Sequence, residues 1–202
     1  MTAAASRCLS HGWLFALAAA IQVALLAWMV VDRALILARG SELTLNAQPV
    51  DPRDLLRGDY VSLRYDIGSV DVVRLKIPVE DMQTGRLARG HRVWVTLRRL
   101  DGGGLQPVAV NEAPVAVGDG NILIAGRSQG CGWRQGTNSV CPELRVDYGI
   151  ESYFVPEGEG RNIEMAARAG RVQVVAAVTP DGRAAIKRLL LDGQPVYDEP
   201  LF

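Results

Sequence analysis

The residues of this chain best suited to chemistry lie in three short stretches, and none forms a catalytic set by spacing alone. Cys131 and Cys141 bracket a Gly-rich polar loop, Gly132 to Val140. Two thiols at that spacing, with no histidine or third cysteine beside them, make a poor zinc site, because structural zinc takes four ligands. They suit a disulfide that closes a short loop, which contributes about 2–4 kcal/mol in an oxidising compartment. Glu157 and Glu159 sit on a second Gly-rich loop, where Pro156 keeps the stretch out of any sheet. Paired carboxylates can do acid–base work when their environments split their pKa values, or hold a hard cation through oxygen. On such a loop, solvation is the plainer expectation. The third stretch is Gly58-Asp59-Tyr60, a tight turn entering a strand, with Asp59 and Tyr60 placed for a surface site at the strand mouth. His11 and His91 lie far apart, and Lys76 and Lys187 are the only lysines, neither with a visible serine partner. The run Gly102-Gly103-Gly104 lacks the Lys-Ser/Thr of a phosphate-binding loop. No metal site, no cofactor and no nucleophile–base pair is expected.

The elements that carry these residues read mostly as short strands. Asp51-Pro52-Arg53-Asp54 is turn chemistry. From Tyr60 the chain alternates, with Val61, Leu63, Tyr65 and Ile67 on one face and Tyr60, Ser62, Arg64 and Asp66 on the other. Val70 to Ile77 reads as a strand ended by Pro78, and Val79 to Arg89 holds a weak helical turn limited by Gly85. Val93, Val95 and Leu97 share one strand face, and Leu105 to Val117 reads as an edge strand because of Pro107 and Pro114. Ile122 to Ala125 is a buried strand. Leu144, Val146, Tyr148 and Ile150 alternate with polar neighbours. Asn162 is placed to cap a short helix, Ile163 to Ala169, with Gly170 as its stop. Thr179-Pro180-Asp181-Gly182 joins Arg171–Val178 to Ala184–Leu191 as a hairpin, and Asp192-Gly193 opens a short tail. Gln-Pro-Val at 48–50, 106–108 and 194–196 reads as recurring strand-entry chemistry, not as an internal repeat. The fold class expected is all-β or β-rich α+β, as one domain with a short helix.

Gly58-Asp59-Tyr60-x-x-Leu63-x-Tyr65 resembles the pattern of the GDYXXLXY family, and Tyr153-Phe154-Val155-Pro156-Glu157-Gly158-Glu159-Gly160 is similar to a second stretch of it. The resemblance spans nearly the whole chain. It implies a membrane-anchored bacterial protein of uncharacterised function, and it assigns no catalytic residues. Gly58, Asp59, Tyr60, Leu63, Tyr65, Tyr153, Pro156, Glu157 and Glu159 are therefore the candidate functional surface. A Gly-Asp turn after an anchor also looks faintly like type I signal peptidases, membrane-bound hydrolases with a Ser–Lys pair. Here Ser41 has no methionine nearby and no lysine partner in sequence.

Trp13 to Val31 carries no charge and one polar side chain, Gln22. That approaches the ~20 residues a spanning helix needs. Asp32 and Arg33 interrupt the run, and Ala34 to Ala38 continues it apolar. A cleaved signal peptide would have a shorter core, and Ile36 stands where a small residue is wanted before a cleavage site. The organisation expected is a short tail over residues 1–12, an uncleaved transmembrane signal anchor over 13–38, and a β-rich domain over 41–202. Positive-inside counting is close to a tie, with Arg7 on one flank and Arg33 and Arg39 against Asp32 on the other. The cysteine pair favours a domain outside the cytoplasm, on the bacterial inner membrane. Basic and acidic residues balance at 22 each, so no nucleic-acid partner is expected. The expected partners are the membrane and another membrane protein, bound by a non-catalytic envelope protein or a complex subunit. Gln22 is placed to hydrogen-bond across helices in such a complex.

Overall fold

The computed structural model describes residues 5–50, 60–83, 85–132, 141–154, 165–166 and 169–198. Among the described residues one long helix, α1 (Ala5–Arg39), leads into eleven strands in two sheets. Its large apolar side chains from Trp13 to Val31 are exposed, so Gly12–Arg39 is a helix long and apolar enough to cross a membrane.

The six-stranded sheet has the order β11-β10-β9-β1-β2-β8, and the five-stranded sheet β3-β7-β6-β4-β5. The first is built from β1 (Ser41–Val50), β2 (Tyr60–Tyr65), β8 (Ser152–Phe154), β9 (Val172–Val178), β10 (Ala184–Leu191) and β11 (Gln194–Asp198). The second is built from β3 (Ser69–Asp71), β4 (Arg92–Arg99), β5 (Leu105–Asn111), β6 (Asn121–Gly132) and β7 (Glu143–Asp147). All pairings between them are antiparallel. Each sheet buries one apolar face, and the two faces share a core. Leu43, Leu45, Leu63 and Tyr65 come from one sheet, and Val93, Val95, Leu97, Leu144 and Val146 from the other.

Three local readings are corrected. Val70 to Ile77 is not one strand: β3 stops at Asp71, and α2 (Val72–Leu75) follows. The Asp71 carboxylate accepts the Arg74 N–H at 2.9 Å, a helix cap that outweighs the β-preference of the valines. Leu105 to Val117 is a strand only to Asn111, and it lies at its sheet's edge with Pro107 at a bulge opposite Leu97. The tail after Asp192 is β11, paired with β10. Asp192 and Gly193 both have positive φ, 51° and 78°, the Asp-Gly signature of a tight hairpin turn. Of the Gln-Pro-Val tripeptides, two lie near strand starts and one ends β1. The weak helical turn after Pro78 is α3 (Val79–Gln83). The helix expected over 163–169 falls largely outside the described residues, where Met165 and Ala166 are helical and the Ala169 N–H bonds the Met165 carbonyl at 3.2 Å.

The join between helix and sheet is direct. Only Gly40 separates α1 from β1, and its N–H bonds the Ile36 carbonyl at 2.9 Å. Ile36 and Leu37 pack on Ala177 and Ala185, both fully buried on the sheet face opposite the core. Small side chains there let the helix approach the backbone closely. The Arg183 guanidinium donates to Asp32, one turn earlier on the helix. A Cβ on Gly40 would sit 2.6 Å from the Ile36 oxygen and 2.8 Å from the Val178 nitrogen, contacts that demand backbone movement. Gly40→Val is therefore expected to destabilise the junction by about 1–3 kcal/mol. Faster proteolysis between helix and domain in membrane-embedded protein would register it, and an unchanged cleavage rate would contradict the tight junction.

Candidate functional site

The two distinctive stretches are neighbours. β2 pairs with β8, with Tyr60 opposite Phe154, Val61 opposite Tyr153 and Ser62 opposite Ser152. Residues almost a hundred positions apart thus share one sheet edge, because β8 is the last strand of its sheet. Gly58, Asp59, Pro156, Glu157 and Glu159 lie outside the described residues, and of Tyr60 only the backbone in β2 is described.

Leu63, Tyr65 and Tyr153 do not lie on the surface expected of them. They are 1%, 3% and 5% exposed and face the shared core, as the inward side of an alternating strand must. Their work is to hold the edge in place. Tyr65 donates its hydroxyl to the Ile150 carbonyl at 2.6 Å, and Tyr148 donates to the Ile67 carbonyl at 2.7 Å. These two buried bonds clasp the β2 end to the turn between β7 and β8. The Leu63 N–H adds a bond to the Glu151 carbonyl at 2.7 Å. Burial pushes both phenols well above the ordinary tyrosine range, so they remain neutral donors.

Glu151 closes that turn. Its carboxylate accepts the N–H groups of Tyr148 and of Gly149, the latter at 2.8 Å, and Gly149 takes φ +78° to let the chain reverse. Burial raises its pKa above the usual carboxylate range, against the lowering effect of those N–H bonds. A raised folded-state pKa means that protonation favours the folded state. This contribution is complete below the unfolded pKa and is lost as pH rises through the folded one. The stability of the native chain relative to Glu151→Gln is therefore expected to increase as pH falls from about 7 to about 4. Urea unfolding at a series of pH values measures this, and a difference that shrinks toward acid would refute it.

Between the β2 edge and β7 runs a groove. One part, about 320 Å³, is lined by Ser62, Arg64, Gln129, Arg145, Asp147 and Glu151 over a floor of Leu63 and Tyr65. A second part, about 270 Å³, adds Gln48, Asp66 and Glu143 and shares Arg64, Tyr65 and Ser69 with the first. Its polar groups are largely engaged with one another. Gln129 donates to Asp147 at 2.6 Å, Arg145 to Glu143 at 3.2 Å and Gln48 to Asp66 at 3.3 Å. Arg64 is exposed, and among the described residues neither Ser62 nor Ser69 is hydrogen-bonded to a base. Such a groove can bind a polar chain or peptide segment. Among the described residues it presents no activated nucleophile. Arg64, Arg145 and Glu151 were not singled out by sequence reading. The signal available was the short Tyr148-Gly149-Ile150-Glu151 turn between two strands.

The other candidates lie elsewhere. Cys131 and Cys141 are joined by a disulfide with Cα atoms 5.4 Å apart, linking the end of β6 to the residues before β7. Ser41 opens β1, whereas Lys76 ends α2, which rests on β7 of the other sheet. Lys187 donates to Glu42 at 2.8 Å, and that bond holds the Glu42 carboxyl below its ordinary range. His91 is exposed just before β4.

A family model described as "GDYXXLXY protein" matches residues 22–189. No curated protein and no solved structure matches the chain.

Proposed function

This chain belongs to the GDYXXLXY family, and from that premise we propose that it is a membrane-anchored, non-catalytic envelope protein that binds another membrane protein through the β2–β8 edge. The observation that carries the reading is the pairing of β2 with β8, which brings the described part of each stretch to one sheet edge beside a polar groove. Strand edges present unpaired backbone groups and recruit partners by adding a strand. The α1 helix is the anchor, and residues 41–202 form the domain it holds. The Cys131–Cys141 bridge supports a domain on the oxidising side of a bacterial inner membrane. The direct join at Gly40 supports a domain seated against the bilayer surface, so its partner is within the same membrane or next to it.

Photo-crosslinking in native membranes tests this. A crosslinker at Arg64 or Ser152, both exposed, is expected to capture a membrane protein, whereas one at Gly118, exposed on a distant loop, is expected not to. Equal capture at all three positions would end the edge-binding reading. An alkaline-phosphatase fusion after Phe202 that is inactive in cells would end the extracytoplasmic placement.

A further inference from the structure

The sheet surface beside the anchor carries a second cavity, of about 390 Å³, lined by Ile36 of α1, by Arg92, Arg127 and Arg183, and by the Gly126 and Gly149 backbone. Arg92 and Arg127 are direct cross-strand partners on β4 and β6. Like charges directly opposed in a sheet destabilise it unless something of opposite charge lies between them. Among the described residues neither forms an ion pair. The Arg92 guanidinium lies 4.9 Å from the Trp94 ring centre, and Arg127 donates to the Gly90 carbonyl at 2.9 Å. Asp32 and Asp181 hold Arg183, and Asp147, opposite Arg127 on β7 and lining the cavity, accepts from the neutral Gln129 amide and offsets only one of the two facing guanidinium charges.

The place of this cavity along α1 bears on its occupant. The uncharged part of α1 ends at Val31, and Asp32 is the first charge after it. Ile36 lies one turn further, about 6 Å along the axis. The headgroup layer of each leaflet is roughly 5–8 Å deep. Trp94, half-buried, donates its indole N–H to the Asp181 carbonyl beside this cavity, and tryptophan favours that layer. We propose that Arg92 and Arg127 bind the phosphate of an anionic phospholipid headgroup in the leaflet where α1 emerges. This rests on the anchored reading above. Guanidinium forks match phosphate oxygens in pairs, and the close join at Gly40 fixes the site at one height above the bilayer.

The test uses the full chain purified in a non-ionic detergent, with retained lipid counted by native mass spectrometry. Phosphatidylglycerol is expected to be retained about tenfold better than phosphatidylcholine. In Arg92→Gln/Arg127→Gln that preference disappears, whereas Arg92→Lys/Arg127→Lys keeps part of it and Arg188→Gln, on the far hairpin, keeps all of it. Equal retention of the two lipids by the native chain would overturn the site, as would an undiminished preference in the double Gln variant. Displacement of phosphatidylglycerol by an equal concentration of inorganic phosphate would make it a free-anion site and overturn the lipid assignment. Carbonate washing of membranes separates this site from the anchored reading. The native chain and the double variant are both expected to stay with the membrane, and release of the native chain would overturn the anchor itself.

Discussion

Leu63→Ala is expected to lower the stability of the folded domain by about 2–5 kcal/mol, the range for emptying a fully buried leucine site. Leu63 is 1% exposed, lies opposite Pro49 on β1, and shares its core with Leu43, Tyr65, Val95 and Leu144. It is also the strand residue whose N–H reaches the Glu151 carbonyl, so a cavity beneath it loosens the edge and the turn together. Arg64→Ala, one residue on and exposed, is expected to change stability by no more than about 0.5 kcal/mol. Chemical unfolding of the full chain in detergent, followed by near-UV circular dichroism, compares the two. Equal losses would mean that β2 does not present alternate residues to core and groove, and the binding edge would lose its basis. The comparison also separates two roles within the family pattern. Its leucine and second tyrosine build the platform, whereas the residue between them, Arg64, faces the groove.

Removal of the bridge by Cys131→Ser/Cys141→Ser is expected to destabilise the chain by about 3 kcal/mol, the loop-closure value for so short a loop. The bond links positions ten apart in sequence and ties β6 to β7 beside the pair Cys131 and Leu144. Cys141 is buried, with its sulfur 3.8 Å from that of Met82, so the native bridge is shielded on one side by the core. Reduction of the native protein should reproduce most of the loss seen in the double variant. Thiol labelling of intact membranes is expected to find neither residue free until reductant is added. Free thiols at both positions in the native protein would remove the bridge, and with it the main support for an oxidising compartment. This measurement therefore bears on topology as much as on stability, because Arg7, Arg33, Arg39 and Asp32 leave the charge rule close to a tie.

The faces of the strands were legible wherever one side meets the core and the other meets water. Leu63, Tyr65 and Ile67 are buried while Arg64 and Asp66 are exposed, and Val93, Val95 and Leu97 are all fully buried. The hairpin of β9 and β10 was equally plain from its Pro-Asp-Gly turn. Local patterning misleads where a side chain competes with it, as at the Asp71 cap, and is too short to show a strand beyond a turn, as after Asp192-Gly193. It also placed Tyr153 with surface residues, because three strand residues beside a proline show too little alternation to reveal which side is inward.

Composition and periodicity alone determined an apolar amino-terminal helix and a β-rich domain after it, while the family resemblance rests on the Gly58–Tyr65 and Tyr153–Gly160 stretches. These are local properties: a run of apolar residues or a period of two is complete within a few turns of chain. Tertiary structure decided that β2 lies beside β8, that Ala177 and Ala185 receive the end of the anchor, and that Arg92 faces Arg127. Each of these joins segments distant in sequence, and their register is set by how two buried faces fit each other, which no single segment specifies.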